Sequence, residues 1–194
     1  MNILIAQDQA FNFTYRANID TLWHLGQVTF FSPLHHDTLP PCDLLYLPGG
    51  YPELFSAELS SQENMRKQIR DYAEEGGRIF AECGGFMYLC QDIDGHPMCG
   101  VLPLRATMNG AHLHLGYRQM RWKGELIKGH EFHYSSIVSL EEWPESVKVL
   151  HLQQSANGRS VDTPIYHYKN VIAGYTHWYW ADKEELTLQN LFEY

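Results

Sequence analysis

Several things are scarce in this sequence, and each scarcity removes a class of function. Its four cysteines, Cys42, Cys83, Cys90 and Cys99, form no CxxC pair and no framework spacing. That excludes a disulfide scaffold and a thiolate metal centre. The opening "MNILIAQDQA" has an apolar run of only four residues before Gln7, and no later run is long enough to span a bilayer. A signal peptide and a transmembrane helix are therefore not expected, and the thiols read as reduced in a cytoplasmic protein. Positive charge is short too: 14 Lys and Arg stand against 23 Asp and Glu, a net charge of −9. Such a field disfavours nucleic acid and anionic membranes as partners. No G-x-x-x-x-G-K-[ST] phosphate loop, internal repeat, low-complexity segment or linker occurs. Eleven histidines are present, yet HExxH is not, because "HEFH" (130–133) is one residue short. No metal site is expected, and these histidines read as surface or core residues.

What is present reads as one α/β domain over residues 1–194, with 44% hydrophobic residues. A chain of this size can bury about 70% of its unfolded surface. "NILIA" (2–6), "VTFF" (28–31), "LLYL" (44–47) and "RIFAE" (78–82) read as buried strands. Between them, "TYRANIDTLWHLG" has Tyr15, Ile19, Leu22 and Trp23 at helical spacing, with Gly26 ending the run. A long polar helix is expected over 54–75, with Phe55, Leu59, Met65, Ile69 and Tyr72 inward, and a further one over "GFMYLCQ". This alternation predicts a doubly wound, mostly parallel sheet with helices on both faces. The second half changes character. "HLHLGYRQMRW", "HEFHYSSIV", "KVLHLQ", "TPIYHY" and "VIAGYTHWYW" read as strands joined by turns, hence antiparallel additions. "KEELTLQNLFEY" reads as a closing helix.

One junction stands out. "RIFAECGGFMYL" (78–89) runs a strand into Glu-Cys-Gly-Gly and then resumes at helical spacing. A-E-C-G-G is a cysteine form of the nucleophile elbow, with Ala81 and Gly85 as small flanks of a sharp turn. A helix starting at Gly84 aims free N–H groups at the sulfur, which favours thiolate and can hold an oxyanion. The bland alternative is a buried cysteine before a glycine turn. Cys42, Cys90 and Cys99 lack this setting and read as structural. A cysteine nucleophile needs a proton acceptor and donor. His177, at the end of a late strand after Gly174, is the favoured partner, although spacing alone leaves all eleven histidines open. "YLPGGYPEL" (46–54) offers backbone N–H groups of Gly50 or Tyr51 to an oxyanion, or else is a plain turn.

"AFNFTY", "FFSPL", "YLPGGYPEL", "AECGGFMYL", "GVLP", "GYR", "GHEFHYS" and "YTHWYW" occur in order from about residue 3 to residue 180. In this they resemble the C-terminal glutamine amidotransferase domains of the cobyrinic acid a,c-diamide synthase family. The resemblance implies a class I glutamine amidotransferase-like, flavodoxin-like fold, with Cys83 attacking the side-chain amide of glutamine and His177 serving it. It implies an oxyanion held by Gly84 and the Gly49, Gly50 and Tyr51 loop. It also implies a glutamine-holding role for Glu131, Phe132 and His133, residues that a covering strand would equally use. Ammonia would then serve amidation of corrinoid a and c carboxylates in cobalamin biosynthesis, or of another tetrapyrrole such as nickel-sirohydrochlorin.

Three departures qualify the likeness. Many triad amidotransferases place a glutamate two residues after the histidine, where this chain has Tyr179; a Cys-His dyad is therefore expected. Relatives with a glutamine four residues after the nucleophile contrast with Met87 here. Glu82 is a tempting substitute for the missing carboxylate, but as the strand neighbour of Cys83 it should face the opposite side. The family's ATP- and Mg²⁺-binding synthetase half has no counterpart in this chain. No cofactor is expected within it, and an excised domain or a separate synthetase subunit is expected. A non-catalytic docking domain on the same fold is the alternative, with another cysteine hydrolase a distant third.

Overall fold

Apolar runs without alternation need cover on both faces, which only an internal strand receives. The computed structural model describes residues 1–122, 124–138 and 145–180. In it these runs become β1 (Asn2–Ala6), β2 (Gln27–Phe31), β3 (Leu44–Leu47) and β4 (Arg78–Glu82). The later strands are β5 (Asp92–Ile93), β6 (His96–Pro97), β7 (Arg105–Thr107), β8 (His114–Trp122) and β9 (Glu125–His133). They continue with β10 (Ser136–Val138), β11 (Val147–Leu150), β12 (Gln154–Ser155), β13 (Ile165–Tyr168), β14 (Val171–Gly174) and β15 (His177–Tyr179). The main sheet runs β11-β13-β14-β4-β3-β1-β2. Its five strands from β14 to β2 are parallel, and β13 and β11 add antiparallel at one edge. The parallel part has the flavodoxin-like order, whose ligands sit beyond the strands' carboxyl ends.

Side-chain alternation divides this sheet into two cores. Leu4, Leu45, Leu47, Ile79, Ala81, Val171 and Ala173 face one core, shared with Leu59, Met65, Ile69 and Phe86. Ile3, Ile5, Leu44, Tyr46, Phe80 and Ile172 face the other, shared with Leu22. The helices α1 (Arg16–Leu25), α2 (Ser56–Ser61), α3 (Glu63–Glu74) and α4 (Gly84–Leu89) thus lie on both sides. On the second side a smaller sheet, β12-β8-β9-β15, lays Met120, Trp122, Ile127 and Trp178 against the main one. A third sheet, β10-β7-β5-β6, completes the described strands.

Four local expectations are corrected. The helix expected over 54–75 is a 3-10 turn (Pro52–Phe55) followed by α2 and α3, broken at Gln62. Leu59 and Met65 would project about 120° apart on an unbroken helix, and with the break both reach the same core. In α1, Trp23 faces out while Asn18 is buried beside Leu22. Gly26 ends that helix in extended backbone; an added Cβ would lie 2.1 Å from the Met1 carbonyl oxygen, so close approach requires the glycine. "HEFHYSSIV" and "VIAGYTHWYW" each divide into two strands that join different sheets. The closing helix expected in "KEELTLQNLFEY" lies outside the described residues.

Candidate active site

The alternation that sends Ile79 and Ala81 into the first core carries Cys83 to that side and Glu82 to the other. Cys83 sits at the junction of β4 and α4 with φ 47° and ψ −105°. Such a non-glycine residue at positive φ stores about 1–3 kcal/mol of strain, tolerated where the surroundings over-determine it. They do so here: the Cys83 N–H donates to the Gly174 carbonyl on β14 (2.8 Å), and its carbonyl accepts from Met87 N–H (3.0 Å). Gly85 is small for a different reason from the one its spacing suggests. A Cβ there would lie 2.1 Å from the Leu47 carbonyl oxygen, so it is β3, not Ala81, that demands glycine. A Cβ on Gly84 would meet Pro52 at 2.8 Å and the Gly50 backbone at 3.0 Å. The two glycine loops therefore abut.

His177 arrives from 94 residues further along. After β14 the chain leaves the main sheet, and β15 pairs antiparallel with β9, aligning His177 with His130 and Trp178 with Gly129. A Cβ on Gly129 would lie 2.4 Å from the His177 carbonyl oxygen. The His177 ring stacks on His130 at 4.9 Å and takes Phe13 edge-on at 4.6 Å. Gly49 closes the remaining side, since a Cβ there would sit 2.2 Å from His177 Cε1. Cys83 and His177 line one cavity of about 280 Å³ together with Phe13, Gly50, Tyr51, His130 and Phe132.

Electrostatics run against the expected thiolate. The Gly84 N–H does favour a charged sulfur, but burial outweighs it, helped by the Glu53 charge, and pushes the thiol up to about 12. The Cys83 thiol donates weakly to the Phe132 carbonyl (3.8 Å). Burial, with His130 and His133 nearby, holds the His177 imidazole down to about 3. The pair is thus thiol and neutral imidazole, and an attacking sulfur must lose its proton in the same event.

Other nominated residues divide. Phe132 lines the cavity, whereas its neighbours in β9 face the interior, as period two requires. Glu131 is buried in an ion pair with Arg118. His133 donates from Nδ1 to the Ser135 carbonyl (2.9 Å) and stacks on Tyr175 at 3.6 Å. Neither side chain lines the cavity that Cys83 and His177 share. Tyr51 lines it by side chain only; its N–H is committed to the Ala10 carbonyl (3.0 Å) and cannot serve an oxyanion. Tyr179 meets Tyr15 edge-on, and Met87 accepts from the Ser135 hydroxyl (3.3 Å). Glu82 faces the second core, as expected. Phe13 and His130 were not nominated from sequence. His130 belongs to "GHEFHYS", but only the β9–β15 register reveals its place. Among the described residues no group of three or more His, Cys, Asp or Glu is placed to hold a metal.

Comparison with known proteins bears on the family and the fold. The CobB/CobQ-like glutamine amidotransferase domain matches residues 2–185. A cobyrinate a,c-diamide synthase of Fusobacterium nucleatum is 41% identical over 185 residues, covering 90% of this chain and 40% of the relative. That of Salmonella typhimurium is 35% identical over 202 aligned positions, covering 96% and 43%. The chain therefore spans less than half the length of these relatives. Among solved structures, a glutamine amidotransferase superposes with a TM-score of 0.59 at 19% identity, covering 98% of this chain and 96% of that one. PurLQS from Thermotoga maritima superposes with a TM-score of 0.55 at 17% identity, covering 91% and 86%. At such identity these show the fold alone.

Proposed function

The chain belongs to the CobB/CobQ-like glutamine amidotransferase domain family, and on that premise we propose that it releases ammonia from glutamine at Cys83 and His177. The observation that carries this reading is the cavity both side chains line, at the end of the parallel strands. The glutamine side-chain amide enters between them. As the sulfur bonds to the amide carbon, the thiol proton passes to His177 and the carbonyl electrons move onto oxygen. In this reading the N–H groups of Gly84 and Gly50 serve that oxygen as donors. His177 protonates the departing nitrogen, the C–N bond breaks and ammonia leaves a γ-glutamyl thioester. Water, deprotonated by His177, cleaves the thioester, and glutamate departs with the thiol restored. Phe13 and Phe132 line the cavity around the reacting carbon, and proton transfer through a placed base contributes about 10²–10⁴-fold.

In this reading the ammonia serves an ATP- and Mg²⁺-dependent synthetase portion that amidates corrinoid a and c carboxylates in cobalamin biosynthesis, in the cytoplasm. The relatives' names support the corrinoid product, and the part of their length beyond this chain supports a separate synthetase portion. The same reading assigns no cofactor to this chain. The synthetase docks on the outer face of β8 and β9. Leu115 (64% exposed) and Tyr117 (76%) stand uncovered there beside Phe132, which also lines the cavity. No described helix is long and apolar enough to cross a membrane.

A second reading, a docking domain with an inert thiol, has the raised Cys83 thiol on its side. Glutamate release from glutamine, measured with the synthetase portion supplied, separates the two. The enzyme reading expects release that disappears in Cys83→Ser; equal background in both proteins removes it.

A further inference from the structure

Among the described residues His177 lacks the side-chain partner that orients a catalytic histidine: its Nδ1 is buried without a hydrogen bond. Its place is nevertheless fixed, and the fixing comes through the main chain. One edge of β15 pairs with β9. Among the described residues the other edge has no strand beside it, and two buried side chains take a strand's place. Glu82 Oε1 accepts the Trp178 N–H (2.9 Å). Asn18 donates from Nδ2 to the Trp178 carbonyl (2.7 Å) and accepts the Trp180 N–H at Oδ1 (2.9 Å). The second Glu82 oxygen accepts the Tyr46 hydroxyl (2.7 Å), so the carboxyl cannot swing away.

Taking Cys83 and His177 as the dyad, we propose that Glu82 is a positioning residue that sets His177 against Cys83 through the main chain of Trp178. One carboxyl ties the residue before the sulfur to the residue after the imidazole, spanning the two chain segments whose spacing decides reactivity. It occupies the functional place of the carboxylate absent at Tyr179 while touching neither reacting group. Misplacing a catalytic group by about 1 Å can cost 10²-fold in rate, so a tether of this kind governs turnover more than binding. Burial raises the carboxyl to about 8 in spite of two donors; in the protonated acid the Tyr46 contact reverses, the carboxyl hydroxyl donating to the Tyr46 oxygen, so the tether holds in both states.

The test measures the labelling of Cys83 by a glutamine-shaped diazoketone, whose reaction needs a proton as well as the sulfur, as rate against reagent concentration. Glu82→Gln keeps an acceptor for the Trp178 N–H and an amide able to donate to Tyr46; its maximal rate should stay within about threefold of wild type. Glu82→Met and Glu82→Asp, the second too short to reach, should lose at least 10-fold in maximal rate with half-saturation unchanged within about twofold. The Asp variant decides if the Met variant does not fold. In a His177→Ala background the same substitutions should cost nothing further, which a merely structural role would not produce. Wild-type rates in folded Glu82→Met and Glu82→Asp would overturn the proposal, as would a Gln variant as slow as they are. A His177→Ala protein with the wild-type rate would instead overturn the dyad reading itself.

Discussion

The 2.2 Å between His177 Cε1 and a Cβ added at Gly49 makes position 49 a direct test of imidazole placement. Gly49→Ala must displace the ring, because the opposing atoms belong to a side chain boxed in by Phe13 and His130. The account expects at least 10-fold loss of glutamine turnover, with a melting temperature lowered by only a few degrees. Turnover and a thermal melt on the same sample check both. Single side chains also set the pH range of stability. His177 and His133 are held down to about 3 and about 4, chiefly by burial, against 6.5 unfolded. Their stabilising contribution is complete above pH 6.5 and is lost as pH falls towards those values. Glu82 works in the opposite sense. Raised by burial to about 8 from 4.5, it contributes below pH 4.5 and loses that contribution as pH rises through 8. Melting temperatures should therefore fall below pH 6.5, and Glu82→Gln should outlast wild type increasingly from pH 6 to pH 9. A constant offset between the two proteins across that range would contradict the assignment.

At the level of elements, β15 depends on α1 as much as on its sheet. Asn18→Ala would leave the Trp178 carbonyl and the Trp180 N–H unpaired inside the protein, about 1–3 kcal/mol for each buried group. We expect a loss of about 2–4 kcal/mol in denaturant unfolding, with faster amide exchange in β15 before β4. The elements themselves were legible unequally. "NILIA", "LLYL" and "RIFAE" declare buried strands because no polar residue interrupts them, and the elbow declares itself because a strand meets Cys-Gly-Gly. The break at Gln62 was not legible, since Gln is a good helix former and only the burial of Leu59 with Met65 demands it. Nor was the division of "VIAGYTHWYW". Tyr175 and Thr176 favour strands, and the switch of sheets between them is a tertiary event. Cys83 and Phe132, which line the cavity, could be named from sequence, whereas the inward facing of Glu131 and His133 on β9 could not be read without the register. His130, Phe13 and Asn18 act through partners distant in sequence, and nothing local marks them.

The whole molecule puts one face of its smaller sheet to unequal use. Towards β15 that face holds His177 under Phe13; towards β8 it leaves Leu115 and Tyr117 bare. Outward strand positions are ordinarily polar, so an uncovered apolar strip beside the cavity suits a partner that receives ammonia. Leu115→Lys combined with Tyr117→Glu should leave glutamate release by the domain alone unchanged. With the synthetase portion present, amidation supported by glutamine should drop at least 5-fold while amidation supported by added ammonium persists; equal loss of both would contradict the docking face. The central claim is narrower, that a neutral Cys83 thiol and a neutral His177 act together on glutamine. The diazoketone labelling rate, with the modified peptide identified by mass spectrometry, tests it most directly. The account predicts a single adduct on Cys83, absent in Cys83→Ser and at least 10-fold slower to form in His177→Ala. Labelling that is unchanged in His177→Ala, or that falls on a residue other than Cys83, would contradict it.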